Sequence, residues 1–326
     1  MNNSWKDSEN HFIRAMSDPW YQLITKLMSD IVYKTGEFYK NKGFAAALMP
    51  ITCNSISSPM GLGSDSVPVK IDLFGNQTYL ADSMQFQLEY MLRNTDANGV
   101  WYIMPTFRGE DPDKMHLNQF FHSEAEILGD LKQVQKLIVE YLHALTEQMI
   151  LNNNIKDKSH LEKFLELNGN IPEISLDEAV KLLPKDCFKE PVPGHKHIDR
   201  KGERELIKMF GGAVWLSYMD SKCVPFYQAL SDDKKHAKCA DLLLGPGEVL
   251  GCGERHYYWQ ELEHTIINHK VDPKEYDWYI KMKKEKPLLT SGFGLGLERF
   301  LLWVLKYDDI RDIHIMPRLK NIKAAV

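Results

Sequence analysis

The chain has 326 residues, 44% of them hydrophobic and 26% charged, a mixture that excludes a disordered or fibrous protein. With 40 Lys and Arg against 45 Asp and Glu, the formal charge of -5 excludes polyanion binding by bulk charge and leaves room for a local basic groove. No apolar run approaches the ~18–20 residues of a membrane span and the start lacks a signal-peptide core, while Cys53, Cys187, Cys223, Cys239 and Cys252 form no C-x-x-C pair, so a cytoplasmic protein with reduced thiols is expected.

Leu23, Ile24, Leu27, Ile31, Val32 and Phe38 recur at helical spacing between Trp20 and Tyr39, and Lys42-Gly43 supplies a stop, which predicts a long amphipathic helix. Ser55 to Ser66, polar and bearing Gly61 and Gly63, reads as a mobile lid, and Val67 to Phe74 and Thr78 to Leu80 flank a Gly75-Asn76 turn as a hairpin. Met84 to Arg93 reads as helix. Gly99 to Phe107 and His116 to Leu128 read as two strands joined by the charged connector Gly109 to Met115, and Gln133 to Leu151 is helical again. Residues 152–204 are polar, with helix-like pieces at Leu161 to Leu167 and Leu176 to Leu183. They are expected to form a helical insertion within one domain spanning 1–326, with His195-Lys196-His197 on a surface loop. Val214 to Tyr218, Lys238 to Leu244 and Val249 to Gly251 are strand candidates, Trp259 to Asn268 and Tyr276 to Lys284 helices, and Gly292 to Arg299 leads into an apolar helix through Leu305. Strands joined mostly by hairpins predict a largely antiparallel sheet and the α+β class.

Three segments could carry chemistry. Strand alternation puts Phe120, His122, Glu124 and Glu126 on one face, near Arg108 and Glu110, a set that an apolar core rejects and that suits either a solvated sheet face or a polar site. Asp241 and Glu248 can jointly hold a hard cation such as Mg²⁺, though Gly-rich turns bearing a Glu are common. Gly292, Gly294 and Gly296 before Glu298-Arg299 have the wrong spacing and setting for a dinucleotide fingerprint. They would let a backbone or flat ligand approach closely, with Arg299 able to reach a phosphate.

Taken in order, these segments resemble a class II aminoacyl-tRNA synthetase catalytic core: Arg108 to Glu126 resembles motif 2, Gly292 to Arg299 motif 3, and Gly43-Phe44 through Pro50 the end of motif 1. Within the class the likeness is to the aspartyl and asparaginyl group, closest to the asparaginyl type, on Pro225 to Asp233, Asp241-Leu242-Leu243 and Gly247-Glu248-Val249, and it covers about residues 20–150 and 205–320. The resemblance implies a six- or seven-stranded antiparallel sheet flanked by helices and a homodimer joined through motif 1. It implies that Arg108 binds the ATP α-phosphate and the activated carboxylate. Phe120 and Arg299 would stack on adenine, Glu110 would lie beside it, and His116 would contact the γ-phosphate. Asp241 and Glu248 would hold Mg²⁺. Ser83, Gln85 and Glu124 would receive the amino acid's α-amino group, Arg255 would read its side chain, and Glu89 would accept from an amide.

The chain departs from this pattern in places. About 40 residues precede Gly43, leaving no room there for the family's anticodon-binding domain; Met115 stands where an Arg is usual, so that Lys114 is a candidate for the γ-phosphate contact. Ser83-Met84 and Glu254-Arg255 resemble instead the archaeal asparagine synthetase related to this group. The expectation is therefore a tRNA-independent, AMP-forming ligase that adenylates an aspartate- or asparagine-like amino acid and transfers it to ammonia or another amine. Transfer to tRNA, a carrier protein or a specialised amine is the alternative, with Lys281 to Lys286 as the one basic cluster for a phosphate backbone; a catalytically silent sensor of amino acid or ATP is a third.

Overall fold

The computed structural model describes residues 3–57 and 66–325. It opens with α1 (His11–Ser17) and α2 (Pro19–Asn41). Helix α2 begins where the Asp18 carboxylate accepts from the Trp20 N–H and Pro19 occupies the first turn, and it ends before Gly43, whose φ of 73° suits a residue without Cβ. Its buried stripe is Tyr21, Ile24, Leu27, Ile31, Thr35 and Tyr39; Val32, expected on that stripe, is exposed. Each large apolar side chain buried this way contributes roughly 1.5–3 kcal/mol.

Strands β1 (Ala45–Ala46) and β2 (Thr52–Cys53) follow, then the hairpin β3 (Val69–Leu73) and β4 (Asn76–Leu80), α3 (Gln85–Arg93), β5 (Gly99–Phe107) and β6 (Gln119–Leu128). Helix α4 (Leu131–Ile150) starts on a capping box between Asp130 and Gln133. Its Tyr141 hydroxyl lies 2.7 Å from Thr35 Oγ1 on α2 and 2.9 Å from Ser123 Oγ on β6, which ties the helical layer to the sheet.

The 152–204 segment carries the two expected helices, α5 (Ser159–Glu166) and α6 (Leu176–Leu182). It also holds β7 (Glu173–Ser175), the hairpin β8 (Phe188–Val192) and β9 (His195–Ile198), and the start of α7 (Arg200–Met209). His195-Lys196-His197 is thus part of a strand, not a loop. The remaining elements are β10 (Ala213–Ser217), β11 (Cys239–Leu244), β12 (Gly247–Glu254), α8 (Trp259–Asn268), α9 (Asp277–Glu285), β13 (Thr290–Gly296) and α10 (Leu297–Leu305).

One sheet orders its strands β1-β5-β6-β13-β12-β11-β10-β7, and β3, β4 and β2 make a small second one. The central strands pair antiparallel, while β1 runs parallel to β5 and β7 parallel to β10. The main sheet therefore has eight strands rather than six or seven. Its two parallel edges are two and three residues long, too short for alternation to register in the sequence. The class is α+β, as expected.

Apolar residues of α2, α4 and α10 form the largest core against the sheet, and Ile174, Leu176, Leu206, Val214 and Leu216 form a separate one that seats the 152–204 segment on β10. All five cysteines are free thiols. Among the described residues no helix is long and apolar enough to cross a membrane.

Candidate active site

A cavity of about 570 Å³ opens over the middle of the sheet. Its wall includes Ser83, Gln85, Arg108, His116, Phe120, His122, Glu124, Glu126, Asp241, Glu248, Arg255 and Arg299, so most of the residues singled out in the sequence converge there. Residues 58–65 of the expected lid lie outside the described residues. At the start of that loop Ser57 donates from both N–H and Oγ to Asp82 at 3.1 Å, and Ser55 Oγ donates to the Glu275 carbonyl at 2.9 Å.

The β5–β6 connector is shaped by its own backbone. Arg108 N–H donates to the Asn118 carbonyl at 2.9 Å and Asn118 Nδ2 donates back to the Arg108 and Glu110 carbonyls, which fixes the Arg108 Cα at the cavity rim. The Arg108 guanidinium lies 5.6 Å from the Phe120 ring centroid, and its Nε is buried with no hydrogen-bond partner among the described residues. A buried cationic donor left open in this way favours an anionic ligand. Glu110 turns away: its carboxylate accepts from the Val67 N–H at 3.2 Å, and it is not part of the cavity wall. Glu110 therefore stands next to the Val67 backbone, outside the wall formed by the other residues expected around the nucleotide.

At the inner end, Glu124 accepts from Ser83 Oγ at 2.6 Å, and His122 Nδ1 lies 2.8 Å from its other oxygen. Burial pushes the Glu124 carboxyl up, but His122, Ser83 and Tyr102 outweigh it and hold it below the usual carboxylate range. Gln85 Nε2 is buried without a partner among the described residues. Two residues further along β6, Glu126 binds Arg255 through both oxygens, at 3.1 Å from Nε and 3.0 Å from Nη2, while Arg255 Nη1 donates to Gln228 Oε1 at 3.1 Å. Burial raises the Glu126 carboxyl to about 7 against the pull of Arg255. The glycines make this closeness possible: a Cβ at Gly292 would fall 1.8 Å from Glu126 Oε2, and one at Gly253 would fall 2.0 Å from Gln228 Oε1.

Glu89 is not in that cavity. It is fully buried on α3 and receives hydrogen bonds from Lys283 Nζ at 2.6 Å and from the Tyr279 hydroxyl. Burial favours its neutral form, but Lys283, Arg255 and Arg93 together hold the carboxyl low, so Glu89 is committed to an internal ion-pair network and is not free to accept from a ligand. Glu254 also points away from the cavity, to Lys238 Nζ at 2.8 Å and the Leu131 N–H, because successive strand residues face opposite sides. Of the Glu254-Arg255 pair only the Arg faces the cavity.

At the outer end, Asp241 on β11 pairs with Gly251 on β12, and the register then shifts so that Leu243 pairs with Glu248. This bulge at Val249 carries Glu248 onto the face of Asp241, which a regular strand would not do. Asp241 is held well above the usual carboxylate range by burial and by the charges of Glu248 and Glu203, against Arg299. Arg299 Nη1 donates to the Glu248 carbonyl at 3.0 Å. Among the described residues no group of three or more His, Cys, Asp or Glu is placed to hold a metal ion by itself. A pair of mutually repelling carboxylates fits a Mg²⁺ ion that completes its shell with substrate phosphates and water.

Several wall residues escaped the sequence reading. Glu126 stands in the β6 segment and Gln228 in the Pro225 to Asp233 segment that carry the resemblance, but neither has a role implied by it, and Glu203 and Arg200 belong to a polar stretch without a local signature. Glu298, fully buried and raised to about 8 by burial, accepts the Phe121 N–H with both oxygens at 3.0 and 3.1 Å and so fixes β6 beside Phe120.

The chain matches the tRNA synthetases class II (D, K and N) family over residues 6–320. It is similar to the asparagine--tRNA ligase of Pyrococcus furiosus, with 27% identity over 308 residues, 92% of this chain and 69% of that protein. Its likeness to the asparagine--tRNA ligase of Acholeplasma laidlawii is 30% identity over 298 residues, 85% of this chain and 63% of that protein. Among solved structures, the asparaginyl-tRNA synthetase from Pyrococcus horikoshii complexed with asparaginyl-adenylate shares the fold at a TM-score of 0.82 and 24% identity, covering 94% of this chain and 70% of that one.

Proposed function

The chain belongs to the class II tRNA synthetases of the D, K and N group, ATP-dependent ligases, and from that premise we propose that it adenylates an aspartate- or asparagine-type amino acid and passes the aminoacyl group to ammonia or another small amine without tRNA. The observation that carries the adenylation step is the open, buried Nε of Arg108 beside the Phe120 ring, in one cavity with Arg299, Asp241 and Glu248.

In-line attack of a carboxylate on the α-phosphorus needs positioning and charge neutralisation more than proton transfer. Arg108 bridges the carboxylate and the α-phosphate, bringing nucleophile and electrophile together and countering the charge that develops between them. Phe120 and Arg299 hold the adenine between them. Glu124, kept ionised, takes the substrate's α-ammonium with Ser83 and Gln85. The Glu126–Arg255 pair offers an acceptor and a donor side by side to the substrate's side chain, in the role expected of Glu89. Asp241 and Glu248 would hold Mg²⁺, which when bound neutralises phosphate charge.

The acceptor reading is supported by what the basic cluster does. Lys283 is fully buried on Glu89, Lys281 pairs with Asp277 at 2.6 Å, Lys284 lies over the Trp259 ring, and Lys286 Nζ donates to the Arg93 carbonyl at 2.5 Å. Lys283 is thus withdrawn from the cluster altogether, and Lys281, Lys284 and Lys286 are already engaged at the surface. Transfer to tRNA is the second reading, favoured by the asparagine--tRNA ligases among the relatives. Exposed Val32, Tyr33, Leu48 and Ile51 on α2 and around the motif 1 end support a homodimer, to be checked by light scattering.

ATP–pyrophosphate exchange without tRNA, across aspartate, asparagine and analogues, followed by mass analysis after adding ammonium, tests the proposal. Exchange and an amide product support it. Exchange with no product from any amine, but with charging of tRNA, favours the second reading; no exchange with any amino acid overturns both.

A further inference from the structure

We propose that Arg200, at the start of α7 and outside the motif-like segments read from the sequence, binds the β,γ-phosphate end of ATP and the pyrophosphate that leaves. This rests on the adenylating reading of the cavity and adds a residue to it.

The wall facing Asp241 and Glu248 holds His116 and Arg200 together, although 84 residues separate them in the chain. Arg200 Nη2 lies 2.8 Å from His116 Nδ1 and 3.1 Å from Nε2, and Arg200 Nη1 donates to Asp113 Oδ2 at 3.2 Å. Asp113 is half exposed and already accepts the Met115 and His116 N–H groups, so it offsets the guanidinium only in part. Burial keeps His116 neutral-leaning, and the charges of Arg299 and Arg200 push it further that way. Two guanidiniums thus act on one neutral imidazole at this end of the cavity, a set of donors suited to phosphate oxygens, while the carboxylates of Asp241, Glu248 and Glu203 on the same wall would be offset by a bound Mg²⁺.

The other candidates on the connector are spent elsewhere. Lys114, which the sequence offered for the γ-phosphate, extends to Asp308 at 3.3 Å on the surface and is absent from the cavity wall. Met115 does reach the cavity wall, but as an apolar side chain packed on the main core it offers a phosphate no donor. A guanidinium contributed by the 152–204 segment therefore stands where the connector itself provides no arginine. It also gives that segment a role at the site, since its hairpin and α7 close the cavity on that side through Lys189, Asp199, Arg200 and Glu203.

Calorimetric titration of wild type, Arg200→Ala and Arg200→Lys with ATP and, separately, with AMP tests this. The expected result is that Arg200→Ala weakens ATP binding by at least about tenfold and leaves AMP binding within about twofold, with Arg200→Lys between, and that KM for pyrophosphate rises in exchange assays. Equal weakening of ATP and AMP would assign Arg200 only to positioning the connector through Asp113 and His116, and no change in either would remove it from the site; both overturn the proposal. If wild type binds neither nucleotide, the adenylating reading fails first and the proposal with it.

Discussion

At the inner end of the cavity Glu126, Arg255 and Gln228 satisfy one another within 3.1 Å and are 0%, 3% and 9% exposed. At the outer end Arg108 keeps a buried, unpartnered Nε among the described residues, and Arg299 and Arg200 hold only partly exposed pairs with Glu248 and Asp113. The Glu126–Arg255–Gln228 network is complete without ligand, so a substrate side chain must fit bonds that already exist; the Arg108 end is completed by an anion. Substitutions at the two ends should therefore show in different measurements, stability for the first and nucleotide handling for the second.

The largest effect is expected from Arg255→Ala, which strands a buried carboxyl on Glu126: a loss of about 3–5 kcal/mol in urea unfolding. Arg108→Ala should leave the unfolding midpoint nearly unchanged while slowing pyrophosphate exchange roughly a hundredfold to a thousandfold. If Arg108→Ala instead destabilised the fold as Arg255→Ala does, the contrast between the two ends would fail.

A pH comparison sharpens the contrast from beneath the site. Burial raises the Glu298 carboxyl to about 8, so in the folded state it keeps its proton well above the range where the unfolded chain loses it. The stability contributed by that protonated carboxyl is full below about 4.5 and is lost as pH rises through 8. Glu298→Gln keeps an acceptor for the Phe121 N–H and has no proton to lose, so its stability relative to wild type should improve by about 2 kcal/mol between pH 5 and pH 7, read by urea midpoints. A constant difference across that range would contradict the placement of Glu298. The smallest effect belongs to Lys114→Ala, whose pair with Asp308 is more than half exposed on both sides. It should change stability by under about 0.5 kcal/mol and leave KM for ATP within about twofold; a large rise in KM would return the phosphate contact to the connector.

How much was legible in the sequence varies along the same lines. Strand β5 was readable to its ends and α8 likewise, because nine or ten residues of sustained pattern outweigh local noise. The shared face of Phe120, His122, Glu124 and Glu126 followed from alternation alone and is found on the cavity wall. The edge strands β1 and β7 and the hairpin β8–β9 were not legible, being short, polar and dependent on partners distant in sequence. The resemblance implies a substrate role for Glu89, but a local likeness cannot reveal that Lys283, almost two hundred residues away, already neutralises it. Arg200 and Glu203 were missed for the complementary reason: nothing in a polar insertion marks which charge the fold will turn inward. Asp241 and Glu248 were paired on chemistry alone; the bulge that puts them on one face is visible only in the pairing register.

The central claim, that the amino acid's carboxylate attacks the α-phosphorus in this cavity, is tested most directly by isotope transfer. With amino acid labelled by ¹⁸O in the carboxylate, ATP and ammonium, mass spectrometry of the nucleotide product should find one ¹⁸O in AMP, carried across when the amide forms. Label in inorganic phosphate with ADP as the nucleotide product, or AMP without label, would contradict adenylation and with it the roles given to Arg108, Phe120 and Arg299.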